Sequence, residues 1–169
     1  MIINGASLLD LAPIKDMLPA KVSKVPFPTS YGLGELGYDI RIKQDITFFT
    51  NEEGNWIIVT DPMTKESKYL KGRFCLASSV EEFQMPNTLG AIGHDKSTWA
   101  RLGVQVFNTV IEPGWNGFLT IELVFNGEER VHIPAGTGIM QVIFHRPLNR
   151  ANYVGKYQDQ ANEPVAAKT

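Results

Sequence analysis

The chain has 169 residues, a net charge of −2 from 16 basic and 18 acidic side chains, and 43% apolar residues. This suits one globular domain spanning 1–169 around one core. The charge excludes a general nucleic-acid coat or a binder of anionic membranes, but leaves room for a local basic pocket for phosphates.

The lone cysteine, Cys75, excludes an internal disulfide. It lies in the apolar run Phe74-Cys75-Leu76-Ala77, where a buried structural thiol is expected. No apolar run reaches the roughly 18 residues of a membrane span. Met1-Ile-Ile-Asn-Gly5 lacks the basic start and apolar core of a signal peptide, so the expected setting is cytoplasmic.

In chain order, residues 7–18 read as a short helix interrupted by Pro13, and residues 19–37, punctuated by proline and glycine, read as loop. Period-two apolar spacing begins at Ile40 and Ile42 and continues at Ile46 and Phe48. Trp56–Val59, after a Glu-Glu-Gly-Asn turn, is the predicted hairpin partner. Residues 61–71 read as polar loop. Phe74–Ser79, Leu89–Ile92, Val104–Val110, Phe118–Phe125, Val131–Ile133 and Ile139–Phe144 read as further strands, separated by Gly, Pro and Asn. One helical turn fits around Trp99. Many short strands at this spacing predict an all-β barrel or sandwich. The tail from Tyr153 is polar, and its last residues look frayed.

Two constellations stand out. Lys96, Ser97, Thr98 and Arg101 put two cations and two hydroxyls within six residues. That set suits an oxyanion or phosphate, although a solvated, capped helical start has the same composition. Glu122 lies in Phe118-Leu-Thr-Ile-Glu-Leu-Val-Phe125. Period two puts Leu119, Ile121, Leu123 and Phe125 on one face, and Phe118, Thr120, Glu122 and Val124 on the other. A glutamate lining a pocket there has a raised pKa and can shuttle protons, and an outward-facing one is the plain alternative.

Ile111-Glu-Pro-Gly-Trp-Asn-Gly117 is a turn in which Glu112 can meet a sugar hydroxyl or activate water and Trp115 can wall a pocket. Equally, it fits an ordinary surface turn. His94, His132 and His145 show no metal-ligand spacing, and one cysteine cannot build a zinc deaminase site. No P-loop sequence occurs. Lys156, Tyr157 and Gln160 could close over an anionic ligand, or form a solvated tail.

Taken in order, Gly37-Tyr-Asp-Ile-Arg-Ile42, Leu76-Ala-Ser-Ser-Val-Glu-Glu82, Lys96-Ser-Thr-Trp-Ala-Arg-Leu-Gly103, Ile111–Gly117, Ile121-Glu122, Pro134-Ala-Gly136, Met140-Gln-Val-Ile-Phe144 and Lys156-Tyr-Gln-Asp-Gln160 resemble the dCTP deaminase branch of the dUTPase-like superfamily. The resemblance covers about three quarters of the chain. It implies a distorted, jelly-roll-like β-barrel with a short N-terminal helix and a flexible C-terminal lid over about 153–169. It also implies a homotrimer with active sites between subunits, Mg²⁺ carried on the nucleotide triphosphate, and no zinc.

By the same resemblance, Glu122 is the general base, Ser97 positions water and the leaving amine, and Arg101 orients the glutamate and the base. Lys96 and Thr98 take triphosphate positions, and Glu112 sits beside the deoxyribose 3′-hydroxyl. Asn108, Trp115, Gln141 and Tyr153 join the substrate-binding set, and Lys156 and Gln160 belong to the lid. The implied reaction is zinc-independent deamination of dCTP to dUTP and ammonia. The family usually has aspartate where this chain has Glu112, and the span from Arg101 to Glu122 is two residues shorter than the deaminase pattern. A dUTPase, or a bifunctional enzyme releasing pyrophosphate, is therefore the second expectation. A non-catalytic nucleotide-binding regulator is the third.

Overall fold

Strands that alternate apolar and polar residues must pack one face and leave the other to solvent or a site. The computed structural model describes residues 1–25, 28–107 and 109–169. Their elements are β1 Ile2–Ile3, α1 Gly5–Leu11, β2 Lys21–Val22, β3 Tyr31–Leu33, β4 Tyr38–Arg41, β5 Asp45–Asn51, β6 Gly54–Thr60, β7 Ser67–Lys71, β8 Phe74–Gln84, β9 Gly90–Asp95, α2 Ser97–Arg101, β10 Val104–Val106, β11 Val110–Ile111, β12 Asn116–Phe125, β13 Val131–Ile133 and β14 Gly138–His145.

The strands form three sheets. One runs β11-β9-β14-β4-β3-β2, with β1 also on β14; the second is β10-β12-β8 and the third β13-β5-β6-β7. The all-β class matches the sequence reading. Among the described residues the strands make three separate ladders rather than one closed ring. None of the helices there is long and apolar enough to cross a membrane.

The N-terminal helix is shorter than residues 7–18. It ends at Leu11, where Ala12 turns left-handed at φ 43° and donates its N–H to the Leu8 and Leu9 carbonyls, just before Pro13. Three further expectations are corrected. The loop read over 19–37 contains β2 and β3, which are too short to show a period. The loop read over 61–71 contains β7, an edge strand exposed at every residue, so no alternation marks it. Its two lysines suit an edge that must not recruit another strand. The single strand read over Val104–Val110 is two, because β10 pairs with β12 whereas β11 pairs with β9 in a different sheet.

Leu119, Ile121, Leu123 and Phe125 of β12 are buried in the common core. Phe125 stacks on Phe48 of β5 with ring centroids 5.1 Å apart, joining two sheets. Cys75 of β8 is buried, and burial pushes its thiol up to about 12. It is inert packing, as the sequence indicated.

Replacing Phe125 by Ala is expected to cost about 3–5 kcal/mol in urea unfolding. A loss below about 1 kcal/mol would show that this ring does not tie the sheets together.

Candidate active site

β12 carries the central carboxylate. Its inward residues fix the strand's orientation, so Thr120 and Glu122 face a cavity of about 390 Å³. Phe74, Leu76, Ile111, Trp115 and Leu119 supply apolar wall, and Glu112, Tyr153, Tyr157 and Gln160 also line it. Glu122 is half-buried, and no side-chain hydrogen bond or ion pair to it occurs among the described residues. Burial raises its pKa, partly offset by a hydrogen bond from backbone. A carboxylate held this way accepts a proton more readily than one in water.

Glu81 makes a useful contrast. It is also a buried carboxylate with a pKa raised by desolvation, but Arg41 donates to it from both Nε and the backbone N–H, each at 2.7 Å. Its oxygens are engaged in tying β4 to β8. Those of Glu122 meet no other side chain among the described residues.

The 112–117 loop holds the tail over this cavity. Trp115 packs on Phe83 at 5.8 Å and donates Nε1–H to the Tyr157 carbonyl at 2.6 Å. Tyr153 N–H donates to the Pro113 carbonyl at 2.8 Å. Gly117 adopts φ +123°, and a Cβ there would lie 2.5 Å from the Gln160 nitrogen, so only glycine lets the tail run this close. Gln160 donates to the Thr120 hydroxyl, and the Val165 N–H donates to the same oxygen at 3.1 Å. The end expected to fray therefore reaches the cavity through Val165 and Ala167. Lys156 lies outside this lining, exposed, with its ammonium donating to the Lys168 carbonyl.

The cationic constellation lies elsewhere. Trp99 is buried and donates its indole N–H to the Gly138 carbonyl at 2.8 Å, which pins the short α2 onto β14. Lys96, Ser97 and Thr98 then line a polar cleft with Gln141, Lys21, Ser30 and Asp39. Lys96 donates to Asp39 at 2.5 Å, and both side chains are largely buried. Arg101 points away from both places, into a third cleft with Glu128, Glu129, Arg130 and His132. It has no hydrogen-bond or ion-pair partner among the described residues.

One chain thus brings together Glu122, Glu112, Trp115, Tyr153 and Gln160, and separately Lys96, Ser97, Thr98 and Gln141. It does not bring Arg101 or Ser97 to Glu122. Asn108 lies outside the described residues. The sequence reading missed Thr120, Leu76 and Phe74 as cavity wall, whereas Tyr157, read as part of a closing tail, does line the cavity. Thr120 was findable, since it shares the face of Glu122 at period two. Asp39 was signalled by a carboxylate between apolar neighbours in Tyr38-Asp-Ile40.

A family model described as dCTP deaminase-like matches residues 8–147. The chain is 39% identical over 147 residues to a dCTP deaminase of Campylobacter fetus subsp. fetus, an alignment covering 78% of this chain and 77% of that one. A solved structure of 2′-deoxycytidine 5′-triphosphate deaminase from Agrobacterium tumefaciens is similar with a TM-score of 0.56 and 14% identity, over 86% of this chain and 48% of that one. The dUTPase of Staphylococcus bacteriophage 80alpha is similar with a TM-score of 0.51 and 10% identity, over 92% and 95%. At these identities the two structures show a shared fold alone.

The raised pKa of Glu122 has a sign that can be checked. A carboxyl group that binds its proton more tightly when folded costs stability as pH rises from its ordinary value of 4.5 through the folded value. Glu122→Gln is therefore expected to be more stable than the parent at neutral pH, with the two curves converging in acid below that ordinary value. Chemical denaturation across pH reads this directly. A constant difference at all pH values would mean that Glu122 is not desolvated.

Proposed function

The chain belongs to the dCTP deaminase-like family, and on that premise we propose that it hydrolyses dCTP to dUTP and ammonia without zinc. The observation that carries this reading is Glu122, a half-buried carboxylate without a side-chain partner, facing a largely apolar cavity of about 390 Å³. Such a cavity is of the size that ligand sites have.

Glu122 takes a proton from water, and the hydroxide forms a bond to C4 of the cytosine. The same carboxyl group delivers that proton to N3. The C4–N bond then breaks, and the amino group leaves as ammonia with a proton from the attacking oxygen. Apolar walls at Leu76, Ile111 and Leu119 exclude bulk water, which strengthens each electrostatic contact inside. Glu112 meets the deoxyribose 3′-hydroxyl, Trp115 walls the sugar, and Tyr153 and Gln160 close the cavity.

Ser97, Arg101, Lys96, Thr98 and Gln141 act in the same reaction but line other clefts of the chain. We infer that a second copy supplies them, in a homotrimer with sites between subunits. Ser97 then positions the water and the departing amine, Arg101 orients Glu122, and Lys96, Thr98 and Gln141 receive the triphosphate. Mg²⁺ arrives on that triphosphate as part of the substrate, and Lys156 folds with the tail as the lid. The reaction belongs to hydrolysis of a cyclic amidine C–N bond, acting on a cytoplasmic nucleotide pool.

A second reading has its own support. Glu112 is exposed and opens into the same cavity as Glu122, so a water activated there could release pyrophosphate from dUTP. Incubation with dCTP or dUTP in Mg²⁺, followed by chromatography with ammonia and pyrophosphate assays, separates the readings. We expect dUTP and ammonia from dCTP, and a fall of about 10²–10⁴ in kcat for Glu122→Gln with nucleotide binding retained. Pyrophosphate from dUTP with dCTP untouched would move the chemistry to Glu112. Binding of both without turnover would leave a nucleotide-sensing module.

A further inference from the structure

The polar cleft beside α2 contains two lysines in unlike states. Lys96 is held by Asp39 at 2.5 Å, and their side chains are only 13% and 5% exposed. Taking the ammonium away would strand a buried carboxylate, which is strongly unfavourable. Lys21, on the opposite wall, pairs with Glu35 at 2.9 Å, but Glu35 is 89% exposed and lies outside the cleft lining. An exposed pair of this kind is worth little and is easily exchanged.

Strand register explains why Lys21 belongs to this cleft. Lys21 pairs with Gly32, Gly32 with Asp39, and Asp39 with Gln141, across three antiparallel ladders. Directly paired residues present their side chains on the same face. The row therefore reads cation, gap, carboxylate, amide. The gap is obligatory, since Gly32 has φ +97° and a Cβ there would sit 2.5 Å from the Ala20 carbonyl oxygen. Backbone at Ala20 fills that gap, so an anion lies in the cleft itself, whose lining includes Lys21, Ser97, Thr98 and Lys96 with its remaining donors. The second carboxylate of the lining, Asp95, is occupied by the Val106 N–H at 2.6 Å.

We propose that Lys21 is the mobile cation of the polyphosphate cleft, parked on Glu35 in the free protein and transferred to the far phosphates when the nucleotide enters. Lys96 stays with Asp39 and offers only its spare N–H donors. Lys21 is then a specificity residue for phosphate-chain length. This rests on the reading of the Lys96–Thr98 cleft as the triphosphate site. The field at Lys21 agrees, because Glu35, and to a smaller extent the charge of Asp39, holds its ammonium above the ordinary lysine value.

The test is calorimetric titration of the full chain with dCTP, dCMP and inorganic tripolyphosphate at low and physiological salt. Lys21→Ala is expected to weaken dCTP and tripolyphosphate about tenfold, with a much smaller loss for dCMP, and the loss should shrink with salt. Lys21→Arg should restore affinity. Glu35→Gln should tighten tripolyphosphate, opposite in sign to Lys21→Ala, whereas a purely structural pair would move both variants the same way. If Lys96→Ala weakens tripolyphosphate but Lys21→Ala stays within about twofold of the parent, the triphosphate reading stands and the role of Lys21 falls. If neither variant changes affinity, the cleft is not a polyphosphate site and both fall.

Discussion

The alternation of β12 is the constraint on which the site depends. Leu119, Ile121, Leu123 and Phe125 enter the core, so Thr120 and Glu122 must face the cavity. A slip of one residue would drive Glu122 into the core and expose four apolar side chains. The register is fixed by β8, where Glu122 pairs with Leu76 and Leu123 with Cys75. It is adjusted by an irregularity between Phe118 and Thr120, and the Leu119 N–H displaced from the ladder donates to the buried Ser79 hydroxyl at 2.9 Å. Ser79 in turn donates to the Glu81 carbonyl at 2.7 Å. A buried serine thus keeps the backbone satisfied where the strand must bend around a cavity.

The same economy governs the charged groups. Arg41 fully engages Glu81, and Asp39 engages Lys96, so both buried carboxylates have a cation. Glu122, half-buried, has no ion-pair partner among the described residues, and the exposed Arg101 has none either. A half-buried carboxylate left unpaired, where the two fully buried ones each hold a cation, is a place for a ligand or another chain to complete the structure. On the Arg101 side, the burial of Trp99 against β14 fixes a helix of only five residues, which by itself would be too short to hold a shape.

Much of this was legible in the sequence. Strong alternation revealed β5, β12, β13 and β14, and the two faces of β12 were assigned correctly residue by residue. The helix read over 7–18 exists but stops at Leu11, two residues before the Pro13 that was read as an interruption, and the apolar neighbours of Cys75 foretold an inert thiol. Weak or absent periodicity hid β2, β3 and β7 and the break between β10 and β11. β7 has no buried face, β2 and β3 are only two and three residues long, and the change of sheet between β10 and β11 leaves no compositional mark. The tail was harder still. Its capture depends on Gly117 and on the Thr120 hydroxyl, contacts more than thirty residues away in sequence.

The sequence also could not show that Ser97, Arg101 and Glu122, ordered closely along the chain, line three different clefts. β12 presents Glu122 on one side of the molecule, and α2 presents Ser97 and Arg101 elsewhere. On the proposed reading, chemistry that uses all three draws on more than one copy of the chain. Complementation tests this most directly: purified Glu122→Gln and Ser97→Ala proteins, each inactive alone, are unfolded, mixed, refolded together and assayed for ammonia release from dCTP. Random assembly should rebuild about one site in four with both native residues, so the mixture should regain a clear part of the parent activity. A mixture as inactive as its two components would contradict a site shared between subunits.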